Sequence, residues 1–207
     1  MTEPIIVALT VLAGTLLAPV FTKFSDTVIP LLFGKPKKDP VGQAIALAGK
    51  IEEKLNTIRM NIGADMAHII QFHNGGTFYP TGKSIAKFSV IYESLGINRN
   101  SIQLTYQGVP VAAYWKLIDG VCSDRFIKIE DINNPLTPDV YNLSAASQLH
   151  GWKSYYAFGM FDINERMIGV IMFYYFDRTR TLTDLEINTI LSESGVIGGV
   201  LQKHLDS

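Results

Sequence analysis

The sequence predicts an α+β fold: a central antiparallel β-sheet with N- and C-terminal helices on one face and loops or short helices on the other, preceded by one transmembrane helix. Three observations carry this. Residues 154–176 (SYYAFGMFDINERMIGVIMFYYF) are two nearly unbroken apolar runs joined by a polar linker at 162–166, the pattern of adjacent antiparallel strands. Because neither run alternates between apolar and polar, both of its faces must be covered. Residues 41–62 and 183–205 space their apolar side chains three and four apart, the period of helices that dock along one stripe. Finally, residues 5–21 (IIVALTVLAGTLLAPVF) carry no charge.

As a helix that first stretch spans roughly 26 Å, just short of a hydrocarbon core. Pro4 and Thr22, or slight thinning of the bilayer, close the gap. A buried core helix and a cleaved signal are the other readings. The preceding Met-Thr-Glu-Pro has no positive charge and no small-x-small cleavage site follows, so the signal fits less well. Residues 24–33 (FSDTVIPLLF), broken by Asp26 and Pro30, suit an interfacial segment. Lys23, Lys35, Lys37 and Lys38 follow the helix and no basic residue precedes it, which places the rest of the chain in the cytoplasm, single-pass in the inner membrane. Two units are expected: residues 1–40, anchor plus basic linker, and residues 41–207, one domain.

In that domain Ile45, Ala48, Leu55, Ile58 and Ile62 form the apolar side of a first helix, ended by Gly63-Ala64-Asp65. Residues 66–72 (MAHIIQF) read as a strand. The stretch 73–84 (HNGGTFYPTGKS) is too polar and glycine-rich for regular structure and predicts a long loop, a kind of connection that often carries function. Residues 88–95 read as its partner strand, with a turn at 98–100. Residues 110–117 predict a short helix with proline in its first turn, 126–129 a short strand, and 138–149 another short helix. A final helix opens at a capping box, Thr183 with Glu186. Its Gly195, Gly198 and Gly199 weaken it by roughly 1 kcal/mol each relative to alanine. Close helix packing, between protomers for instance, would account for them, as would fraying.

Composition excludes several functions. The net charge of -1 across 207 residues offers no footprint for nucleic acid. One cysteine, Cys122, removes disulfides, dithiol redox chemistry and cysteine-rich metal sites. His68, His73, His150 and His204 lack ligand-like spacing, so no metal is expected. Gly82-Lys83-Ser84 lacks the preceding residues of a phosphate loop. No nucleophile sits at a recognisable distance from a base, and a non-catalytic protein is expected. An enzyme would have to be built around His73, Lys87 and Glu93.

The carboxyl-terminal half resembles a GAF domain. The residues that carry the likeness are Gly151-Trp152-Lys153-Ser154, then Arg166-Met167-Ile168-Gly169-Val170-Ile171, then Thr181-Leu182-Thr183-Asp184-Leu185-Glu186. The motif His73-Asn74-Gly75-Gly76, with Phe88-Ser89 and Tyr92-Glu93, also looks like small GAF-like membrane proteins encoded by phages. The likeness implies a sensory or ligand-binding module that acts through protein contacts, pairs as a homodimer through its first and last helices, and holds a small molecule on the other sheet face. The alternative is an interaction or structural protein whose domain has no ligand. No bilin-attachment cysteine setting is present, the N-K-F-D-E pattern of phosphodiesterase GAF domains is missing, and one cysteine cannot run methionine sulfoxide reduction. The cofactor therefore stays unnamed.

By the same resemblance the pocket would draw on His73, Asn74, Phe78 and Tyr79 from the loop, with Phe88, Tyr92, Tyr114 and Trp115 as aromatic walls and Asp131 and Trp152 at the rim. Each has a plainer reading. Asn-Gly supplies turn geometry, aromatic residues fill any core, and Glu93 pairs with Lys83 or Lys87 on a surface.

Overall fold

The structure, a computed structural model, describes residues 39–78, 80–134 and 144–205. The chain divides into two compact units, 1–45 and 46–207. Of the first, only the opening turns of helix α1 fall among the described residues. The proposed membrane segment at 5–21 and the basic linker lie outside them. Among the described residues no helix is long and apolar enough to cross a membrane.

Helix α1 (Pro40–Asn61) starts where Asp39 accepts the backbone N–H of Val41 at 3.1 Å, with proline in the first position, where a missing N–H costs nothing. It stops at Gly63, whose φ of 63° lets its own N–H reach Met60 O and that of Ala64 reach Arg59 O, the paired bonds of a Schellman motif. Ile51, Leu55 and Ile58 are buried, whereas Ile45 is exposed and does not belong to the packed stripe.

Six strands follow: β1 (Met66–Thr77), β2 (Ser84–Leu95), β3 (Val109–Pro110), β4 (Phe126–Ile129), β5 (Ser154–Phe161) and β6 (Met167–Tyr175). A 3-10 turn (Val111–Tyr114) and helix α2 (Trp115–Asp124) lie between β3 and β4, α3 (Ser144–His150) precedes β5, and α4 (Asp184–Leu205) closes the described chain. The sheet runs β3-β2-β1-β6-β5-β4 with every pair antiparallel. The hairpin read from residues 154–176 is β5 and β6, buried on both faces.

Alternation sorts the sheet residues between two cores. Ile69, Tyr156, Phe158, Ile171 and Phe173 pack under α1 and α4. Ile70, Tyr155, Ala157, Met172 and Tyr174 face α2. The capping box at the start of α4 forms as expected: Thr183 Oγ1 accepts from Glu186 N and Glu186 Oε2 from Thr183 N at 2.8 Å. Of the three glycines only Gly198 serves close packing, with Phe161 O 3.3 Å from where a Cβ would sit. Gly195 and Gly199 face open space.

Two sequence expectations need correction. Residues 73–77 and 84 are not part of an irregular loop, because β1 and β2 continue as a two-stranded ribbon to Thr77 and Ser84. Ladder hydrogen bonds do not depend on side-chain polarity, so a polar, glycine-bearing run can still pair. Second, β2 carries a bulge: Ile69 pairs with Tyr92 but Ile70 with Val90, which leaves Ile91 as the extra residue. Gln103 Nε2 donates to the Ile91 carbonyl at 3.0 Å and satisfies it.

Candidate functional site

On the α2 face, side chains from distant parts of the chain converge. β1 supplies His68 and Ile70, β2 Phe88 and Val90, the following segment Ile102 and Tyr106, the 3-10 turn and α2 Tyr114 and Leu117, and the hairpin Tyr155, Met172 and Tyr174, with Trp152 just before it. They line a cavity of about 30 Å³, room for a water molecule or two. Rings make up most of the wall. Trp152 stacks on His150 (5.1 Å between centroids, 12° between planes) and leans on Tyr174 at 4.5 Å. Phe88 meets Tyr114 edge-on at 5.7 Å.

Burial keeps this wall uncharged. His68, 3% exposed, has its pKa lowered to about 3 by burial, with His150 adding to the effect. Its Nε2 lies 2.9 Å from the Tyr174 hydroxyl and 3.1 Å from Met172 Sδ. Burial also holds Tyr174 well above the ordinary phenol range, and lowers His150, whose Nε2 meets the Tyr106 hydroxyl at 2.9 Å. Two buried nitrogens, His68 Nδ1 and Trp152 Nε1, have no hydrogen-bond partner among the described residues. Such groups cost stability wherever they stay unpaired, and mark places where a polar guest would be welcome.

Three expected site residues line the cavity: Phe88, Tyr114 and Trp152, the last as a buried wall rather than a rim. The others go elsewhere. His73 is on the ribbon, its Nε2 2.9 Å from Ser89 Oγ, which in turn accepts the Gly108 N–H, so it ties the ribbon to the next segment. Asn74 accepts from Ser84 across the ribbon at 3.3 Å. Phe78 and Trp115 are exposed. Asp131 closes its own turn by accepting Asn133 N at 2.9 Å. Tyr92 shares parity with Phe88 and Val90, yet the bulge at Ile91 reverses the phase and sends it to the α1 and α4 face. Tyr79 lies outside the described residues.

Glu93 pairs with neither Lys83 nor Lys87: it accepts from Ser101 Oγ and from Ile102 N at 3.0 Å, capping the turn after β2. It sits six residues along β2 from Lys87, roughly 20 Å away, whereas Lys87 is the cross-strand neighbour of His73. The three do not form one centre. Sequence reasoning missed His68, Ile102, Tyr106 and His150. His68 alone left a signal, since it shares the parity of Met66 and Ile70 in a strand read as buried.

No protein-family model matches the sequence, and neither does any curated protein. Solved structures do match in shape. A far-red cyanobacteriochrome photoreceptor superposes with a TM-score of 0.60 at 8% identity, covering 79% of this chain and 92% of that one. GAF3 of a Synechocystis protein, in its photoproduct state, gives 0.58 at 14%, covering 77% and 96%. The GAF domain region of a protein named as a membrane protein of Geobacter sulfurreducens gives 0.52 at 16%, covering 78% and 97%. The fold is therefore that of GAF domains. A linear tetrapyrrole does not fit this chain: the cavity holds about 30 Å³ and Cys122 is exposed, away from its wall.

Proposed function

We propose that this chain is a sensory or ligand-binding GAF-like module, anchored by residues 5–21 in the inner membrane with its domain in the cytoplasm, and that it signals through protein contacts rather than catalysis. The observation that carries the ligand-binding reading is the aromatic-lined cavity beside α2, with two buried nitrogens in its wall residues lacking partners among the described residues. As it stands the cavity has room for a water molecule or two, so a small, flat, uncharged guest enters it as Ile102 or Tyr106 gives way. The protein contacts fall to α1 and α4, pairing two copies. The outward side of α4 supports this, with exposed Leu185, Val196 and Val200 beside open Gly195 and Gly199.

The test uses full-length protein in detergent micelles and indole as probe. Indole is expected to raise the melting temperature by a few degrees at saturating concentration. Ile118 on α2 also lines the cavity and is half-buried, so Ile118→Phe, which fills it, should abolish the shift without unfolding the protein. No shift in the parent, or the same shift in the filled variant, would refute the reading. The anchor is tested separately: the full chain should resist alkaline extraction from membranes, and a chain lacking residues 5–21 should not.

The near-filling of the cavity by the protein's own rings favours a second reading, an interaction or structural module without a ligand, of the kind phages encode. Failure of indole to bind, with retained self-association, would support it.

A further inference from the structure

A second hollow of about 260 Å³ lies against the first. Ile102 and Trp152 belong to the walls of both, so the partition between the outer hollow and the inner cavity is one side chain thick. Resting on the proposed ligand-binding reading, we propose that the two are compartments of a single site for a small aromatic carboxylate. Its carboxylate would be held at Arg99 and its ring laid against His150 and Trp152, entering the cavity as Ile102 gives way.

The charge comes from the outer wall. Among the described residues Arg99 is the only ionised one lining the hollow, joined by the carboxamide residues Asn98 and Asn100, and no carboxylate among them lines it. The guanidinium carbon lies over the Phe176 ring, 4.4 Å from its centroid, a cation–π contact that helps to hold the side chain in place. Its Nη2 serves Asp177 and, at 3.8 Å, Asp65, while Nε is buried with no acceptor among the described residues. One prong of a rigid fork is thus unused. A guest carboxylate is the group that matches it, because Arg binds carboxylates through two parallel N–H bonds. The Asp177 side chain, 76% exposed, is a water-screened competitor that a guest can replace.

The ring comes from the partition. His150, Trp152 and Tyr155 form a run of nearly parallel planes, 12° apart in the first pair and 17° in the second. A flat guest extends such a stack, and an aliphatic one gains less from it. Below the partition the wall is aromatic and aliphatic with His68 and the tyrosines neutral, so the charged end stays outside. Size points the same way, since about 260 Å³ is just under the range of about 300 Å³ and above that serves drug-sized ligands.

The chain holds two tryptophans, and Trp115 is exposed outside both compartments, so in full-length Trp115→Phe protein the emission reports on Trp152 alone. Phenylacetate is titrated against benzyl alcohol, its neutral counterpart. Phenylacetate should change Trp152 emission and bind at least about tenfold more tightly than the alcohol. Asn100→Asp, an exposed change that adds negative charge, should weaken phenylacetate about tenfold and leave the alcohol unaltered. Arg99→Lys, which keeps the charge and loses the fork, should remove most of the preference. Equal affinity for the two probes, or a preference untouched by both variants, overturns the bipartite site while leaving a ligand in the inner cavity standing. No change of Trp152 emission by either probe up to about 10 mM, an affinity too weak to matter, overturns both.

Discussion

Acidifying the protein to pH 4.5 should destabilise it through His68 in particular. The imidazole is sealed between β2 and β6 with its pKa at about 3, whereas in the unfolded chain it titrates near the ordinary value of 6.5. Between those values the unfolded state binds a proton that the folded state refuses, so stability falls as pH drops below 6.5 and the loss levels off only near 3. Each pH unit in the window costs about 1.4 kcal/mol, and two units below 6.5 cost about 3 kcal/mol. Other groups respond in the same direction. His150 is also lowered by burial, and the Asp162 carboxylate, held below its usual range first by the Arg166 N–H at 2.9 Å, loses its contribution in more acidic solution. The difference must therefore be read against His68→Gln, which keeps an acceptor for Tyr174 and cannot charge. Urea unfolding followed by circular dichroism at pH 7.5 and 4.5 should show the parent losing about 3 kcal/mol more than the variant over that interval. Equal losses would refute the reasoning, because they would mean that His68 takes up its proton without unfolding.

Glycine replacements in strand β6 and in helix α4 should diverge. Gly169→Ala would put a Cβ 2.3 Å from Ile70 O across the β1–β6 pair and should cost about 3 kcal/mol or more by denaturant titration. Gly195→Ala, with nothing within 4 Å, should stabilise α4 by about 1 kcal/mol in the same assay. Tyr156→Phe removes a hydroxyl that donates to Arg180 O at 2.5 Å and accepts the buried Leu182 N–H at 3.2 Å, and should cost about 2 kcal/mol of unfolding free energy. Thr183→Ala should cost about 1 kcal/mol, with hydrogen exchange accelerating first in the opening turn of α4.

The legible parts of the site were three aromatic residues that the resemblance implied. Phe88 and Tyr114, which the resemblance implied as aromatic walls, line the cavity, and Trp152, which it implied at the rim, is a buried part of the wall. Tyr92 does not line it, since one inserted residue turns the remaining strand over, and nothing in Val90-Ile91-Tyr92 announces that insertion. His73 and Asn74 drew notice as loop residues, but ladder pairing made them members of a ribbon whose side chains hold one another.

Local periodicity, cap residues and the long apolar hairpin were enough to determine the α+β class, the β5–β6 hairpin, the two terminal helices and the start of α4, because these depend on neighbours within a few positions; that the middle of the sheet is the β1–β6 pair was not legible there. Which rings share a cavity, how small that cavity is, and which prong of Arg99 goes without an acceptor were decided only by the tertiary structure. Those outcomes depend on strand register, on the bulge at Ile91, and on the meeting of Arg99, His150, Trp152 and Phe176 from distant parts of the chain, none of which a local pattern encodes.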